Sequence, residues 1–204
     1  MTDESIIPIS DEQAKLGQEI LKAGKDAGGY LADVLGDLPK DLVKLLIGDR
    51  VKVLREERLA KLWASAKERL LEQGVAEPTP PNLKLAIPIL TAAADEPREE
   101  LQDLWARLLA ASMNPNKAMQ IRQAFSDALQ KLDPLDAKMM IYFHENGGSV
   151  KNNEKSKMAE KLGISVDELL VSQRNLSEIG FVSDYNVMTT GLMPFGREFL
   201  RCVS

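Results

Sequence analysis

Cysteine and histidine are almost missing from this chain of 204 residues, where Cys202 and His144 each stand alone. A single cysteine cannot close an intramolecular disulfide, so a reducing compartment fits and a cytoplasmic location is expected. A single histidine rules out a metal centre built on several imidazoles, and a Ser–His–Asp triad would have to use His144. That residue follows Phe143 near a helix end, where it reads as a packed or dipole-complementing group rather than a catalyst. Cys202 reads as a half-buried apolar filler. There is no P-loop and no G-x-G-x-x-G. No enzymatic activity is therefore expected, and no catalytic, metal-binding or cofactor-binding residue is nominated. Aromatic residues are few, with two Trp, three Tyr and five Phe, while Leu, Ala, Lys and Glu are abundant, which favours helices over sheets. No stretch approaches the ~20 apolar residues of a membrane span. Met1 is followed by Asp3 and Glu4 instead of a basic leader, so a membrane is not an expected partner. A net charge of −5 offers no bulk attraction for nucleic acid or anionic lipid.

What the chain does contain is helical periodicity, strongest between Glu99 and Leu132. Leu101, Leu104, Trp105, Leu108, Leu109 and Ser112 recur at the spacing of one helix face. Asn114-Pro115-Asn116 breaks the pattern, and Ala118, Ile121, Phe125, Ala128, Leu129 and Leu132 resume it. Two amphipathic helices joined by so short a link fold back as a helical hairpin. Trp105, Leu108 and Phe125 are its expected structural anchors.

Upstream, residues 1–37 read as an N-terminal helix after a Ser10/Gln13 capping box, followed by a glycine-rich segment. Residues 38–133 read as a helical domain containing the hairpin. Its first part is a long charged helix from about Asp41 to Gln73, stopped by Gly74 and open to interruption at Gly48-Asp49. Arg55, Arg58, Lys61 and Lys67 alternate there with Glu56, Glu57, Glu68 and Glu72, a mixture that predicts a solvated face with local ion pairs such as Glu57–Lys61. Apolar residues fall on more than one face of this helix, so Leu46, Val53, Arg55, Arg58 and Leu59 are nominated as a partner or dimer surface. A proline-rich link over 75–82 predicts extended chain, and Pro88 a kink or a helix start. Asp95, Glu96, Glu99, Glu100 and Asp103 cluster at the start of the hairpin. They read as complement to a helix N-terminus rather than as a metal-dependent acid pair.

Residues 134–204 predict a different unit. Helices are expected from Pro134 to Asn146, from Lys155 to Gly163, and from Ser165 to Gly180. Two strands around Asn186, over 181–185 and 187–189, and a closing helix from Pro194 complete it. That order is winged-helix-like with a short two-stranded ribbon. Met193 stands where a capping hydroxyl is often found, so the closing helix is open to starting elsewhere. The usual role of such a unit is DNA binding, for which Lys151, Lys155, Lys157 and Arg174 are the candidate contacts. Yet residues 135–204 hold eight basic and nine acidic side chains, and Asp167 and Glu168 head the helix that would enter a groove. Nucleic acid is accordingly not an expected partner.

Several stretches then belong together: Leu85–Leu90, Glu100-Leu101-Gln102-Asp103-Leu104-Trp105-Ala106-Arg107-Leu108-Leu109-Ala110, Leu132-Asp133-Pro134-Leu135-Asp136-Ala137, and Pro194-Phe195-Gly196-Arg197-Glu198-Phe199-Leu200. Over roughly residues 30–202 they resemble the bacterial Abi-alpha family, linked to abortive infection, in which a phage-infected cell stops growing. The resemblance implies a phage-defence role and transfers no catalytic residues. The expected protein is mainly α-helical and non-enzymatic. It acts through contacts with other proteins, a second copy of itself among them; a DNA-binding regulator is the alternative.

Overall fold

The computed structural model describes residues 52–183 and 188–204. The helix expected after Ser10, the glycine-rich segment, Leu46 and the Gly48-Asp49 junction lie outside the described residues, as does the side chain of Val53. Among the described residues there are eight α-helices and two short strands. The helices are α1 (Lys52–Glu72), α2 (Leu83–Asp95), α3 (Glu99–Met113), α4 (Gln123–Leu129), α5 (Pro134–Glu145), α6 (Lys155–Leu162), α7 (Val166–Ile179) and α8 (Pro194–Val203). The strands are β1 (Ser149–Lys151) and β2 (Thr189–Gly191). Among the described residues no helix is long and apolar enough to cross a membrane.

α1 ends where its glycine dictates. Gly74 takes φ +70°, and Val75 N–H reaches back to Leu70 O at 2.9 Å while Gly74 N–H reaches Leu71 O at 3.0 Å. This left-handed cap satisfies two of the last free carbonyls. The proline-rich link that follows is tied to the end of α3, with Thr79 N–H bonded to Met113 O at 2.8 Å. α2 begins at Asn82, whose side chain accepts from Lys84 N–H, and it runs unbroken through Pro88 to Asp95. It therefore starts before the proline, not at it.

α3 is the central element, and all of its residues from Leu104 to Met113 except Arg107 are buried. Its main neighbour differs from the one expected. The second arm of the hairpin does not begin at Ala118: a 3-10 turn occupies Ala118–Gln120, and α4 is only seven residues long. An arm of two turns covers little of α3, so α3 packs chiefly on α1, with α2, α5 and α8 closing its other sides. Trp105, Leu108 and Phe125 are all buried, as anchors should be.

β1 and β2 pair antiparallel, Val150 opposite Thr190, and Val182 bridges Leu192 on the other side of β2. The turn about Asn186 and parts of both expected strands, over 184–187, lie outside the described residues; among the described ones Phe181–Ser183 lies against Gly191–Met193, and β2 is Thr189–Gly191. Ser149–Lys151 adds a strand that the apolar pattern did not announce. Three residues with one inward side chain, Val150, are too short to show alternation.

α8 starts at Pro194 although its N-cap, Met193, donates no capping hydroxyl. Proline suits this first position because its fixed φ starts the turn, and the chain before it is held by Met193 N–H bonded to Phe181 O at 2.9 Å. Gly196 presses against the same segment: a Cβ there would sit 2.2 Å from Phe181 O. Phe125, Phe181, Phe195 and Phe199 form a ring cluster with centroids 5.0 to 5.7 Å apart. Through it α4, α8 and the turn after α7 share one hydrophobic core that extends from Leu62 to Val203.

Candidate functional site

Among the described residues no ion pair joins two side chains of α1. Three of its arginines reach instead to neighbouring helices. Arg55 Nε lies 2.6 Å from Asp95, Arg58 donates to Ala94 O at 3.1 Å, and Arg69 pairs with Asp103, which Arg107 also holds at 2.8 Å. No Glu57–Lys61 pair exists among the described residues. An arginine reaches a partner across a helix interface as easily as one turn away, and partial exclusion of water strengthens that contact. Leu59 is half-buried against the core. Of the residues nominated as a partner surface, Arg55 and Arg58 therefore bind α2, and Leu59 packs inward.

The acidic cluster is dispersed by the same contacts. Glu96 accepts from Arg98 at 2.6 and 2.8 Å, and Glu100 lies 3.2 Å from Lys138. Burial acts to raise the Glu96 carboxyl, but the hydrogen bonds and charge of Arg98 outweigh it and hold the group below its ordinary value. Among the described residues no three His, Cys, Asp or Glu side chains gather as metal ligands. A cleft of about 460 Å³ beside Pro88, Thr91 and Gln130 has Trp105 in its lining. Its two carboxylates, Asp95 and Glu96, are the ones already paired with Arg55 and Arg98.

The C-terminal candidates are likewise separated. Lys151 and Lys157 are exposed, but Lys155 is only 8% exposed, and burial lowers its pKa. Arg174 pairs with Glu178 at 2.5 Å on the outer face of α7. At the head of that helix, Ser165 Oγ accepts from Glu168 N–H at 3.1 Å while the Glu168 carboxylate accepts from Ser165 N–H at 2.8 Å. Hydrogen bonds from the Ser165 N–H and from its hydroxyl to the carboxylate hold Glu168 below its ordinary pKa. Of the two acids at the head of α7, Glu168 is thus a helix cap, leaving Asp167 exposed beside it.

The polar group that sequence reasoning missed is Asp136. It is fully buried, and its carboxylate accepts from Ser172 Oγ, Asn175 Nδ2 and the backbone N–H of Asp133. Burial raises its pKa, and these hydrogen bonds offset part of the rise. The Asp133-Pro134-Leu135-Asp136 capping box was the available signal; nothing local reveals that its acid also fastens α5 to α7. His144 is exposed, its Nε2 3.3 Å from Ser204 Oγ. Cys202 is 1% exposed, more deeply buried than expected, and burial pushes its thiol pKa up. A thiol so placed is a poor nucleophile.

These features define a mainly helical protein with a small antiparallel sheet. The model of the abortive infection alpha family matches residues 54–187, and the chain belongs to that family. The matched span includes the Leu104-Trp105 helix and the Asp133-Pro134 cap, and it stops short of the Pro194–Leu200 motif. No curated protein and no solved structure matches the chain.

Proposed function

We propose that this protein serves in the abortive-infection response to phage as a non-enzymatic cytoplasmic component that acts by binding other proteins. Family membership over residues 54–187 is the observation that carries the reading. In this reading residues 134–204 act as a winged-helix-like unit, which the element order α5, β1, α6, α7, β2, α8 supports, and the unit is a scaffold for protein contacts. Its helix α7 carries exposed Asp167 and a paired Arg174 toward solvent, a poor match to a phosphate backbone.

The test is phage challenge of a host expressing the chain. Plaque yield should fall while infected cells stop growing, and the variant His144→Ala, Cys202→Ala should protect as well as the parent. Undiminished plaque yield across a broad phage panel would remove the defence role. Loss of protection in a folded double variant would replace the binding protein with an enzyme.

A further inference from the structure

A groove of about 420 Å³ runs between α1 and α3. One wall, on α1, carries Leu54, Arg58 and Lys61; the other, at the start of α3, carries Pro97, Glu99 and Asp103. The first wall is basic and the second acidic, and Glu57 on α1 lowers the positive balance of its wall without reversing it. Arg58 and Asp103 are engaged within the chain. Lys61 and Glu99 are exposed and have no ion pair among the described residues. Leu54 is 54% exposed beside them, a large apolar side chain facing the same groove as Leu62 and Ala106.

A strip that is basic on one edge and acidic on the other complements itself when a copy is turned about an axis along the strip, because each basic edge then lies over an acidic one. Such isologous pairing is the commonest form of protein self-association. We propose that this groove is a homodimer interface, in which Lys61 of each copy meets Glu99 of the other and the two Leu54 side chains cover the apolar floor. Apolar burial supplies the affinity and the crossed charges set the register. The proposal stands apart from the defence role, since mass and not phenotype decides it.

Sedimentation of the full chain at tens of micromolar tests it. The parent should sediment as a dimer of its 22.6 kDa chain. Leu54→Asp should weaken association by at least about tenfold, the loss of roughly 1.4 kcal/mol of contact. Lys61→Glu alone and Glu99→Lys alone each place like charges across the interface twice and should also weaken it. Mixed in equal amounts, these two variants become complementary, and a dimer should reappear. All three positions of the test lie at the surface, and matched thermal melts confirm that the variants are folded. A monomeric parent would overturn the proposal. So would a dimer indifferent to Leu54→Asp and to both charge reversals, or single reversals whose mixture fails to pair.

Discussion

The α1–α3 layer and the α5–α8 segment are held together by different means. In the first, Gly74 ends α1 and Asn82 caps α2, but α3, the central helix, has no side-chain hydrogen bond at its N-cap, Arg98. Its helices are instead fixed to one another by arginines that span interfaces, Arg55 to Asp95 and Arg69 to Asp103. In the second, two helices carry reciprocal capping boxes, headed by Asp133 and Ser165, and two end in left-handed glycines, Gly163 and Gly180. The contrast teaches that a chain can specify its elements by local hydrogen bonds in one region and by packing in another. Point changes should then act differently in the two.

The largest effect should come from removing the packing anchor. Trp105→Ala empties a fully buried site at the centre of the helical layer and should cost about 3–5 kcal/mol in denaturant unfolding. A loss below about 1 kcal/mol would show that the layer does not depend on it.

Asp136 comes next, because it is where the capped segment also relies on a tertiary contact. Asp136→Ala leaves donors from Ser172, Asn175 and the Asp133 backbone without their acceptor, and about 2–4 kcal/mol should be lost. The two regions should also respond to pH with opposite sign. Asp136 has a folded pKa raised above its unfolded value of about 3.8. Its contribution is fully present below that value and fades as pH rises through the folded pKa. Glu96 is lowered from about 4.5, so its contribution is present above that value and fades as pH falls through the folded pKa. Stability curves between pH 3 and 7 should therefore flatten on their alkaline side in Asp136→Asn and on their acid side in Glu96→Gln. Identical curves for the two variants would remove the distinction.

Gly196→Ala probes the contact between α8 and the Phe181 backbone. The added methyl meets a carbonyl oxygen that cannot rotate away, so a loss of about 1–3 kcal/mol is expected from the thermal melt.

The smallest effect concerns DNA. The full chain should bind random duplex more weakly than about 100 μM at physiological salt, below the usual non-specific range. Asp167→Lys should bring weak, salt-sensitive binding into view by fluorescence anisotropy. Glu168 is left in place because it caps α7. Tight, salt-steep binding by the parent, lost on Arg174→Ala, would make α7 a DNA-reading helix and overturn the reading of its outer face.

Residues 134–204 were the more legible part, and the reason is chemical. Gly163, Gly180, the Asp133-Pro134 pair and Ser165 act within a few residues of where they stand, and the helix limits they imply are the observed ones to within a residue or two. In the helical layer, periodicity identified the buried face of α3 but misjudged its partner. A seven-residue α4 and a long α1 present similar apolar spacing, and it is the longer α1 that covers more of α3. The arginine pairs were illegible for the same reason. Arg69 has acidic neighbours in its own helix, and only the packed arrangement brings Asp103, on another helix, closer.

Composition and short-range pattern alone determined the helical class, the buried stripe of α3, the caps of the C-terminal helices and the family resemblance. Each depends on residues within a turn or two of one another, where backbone geometry leaves few choices. Tertiary structure alone decided that the charges of α1 brace α2 and α3, that Asp136 is buried between α5 and α7, and that Lys61 and Glu99 are left facing outward across a groove. Those outcomes depend on which surfaces exclude water against which, a property of the assembled core that no local stretch of the chain contains.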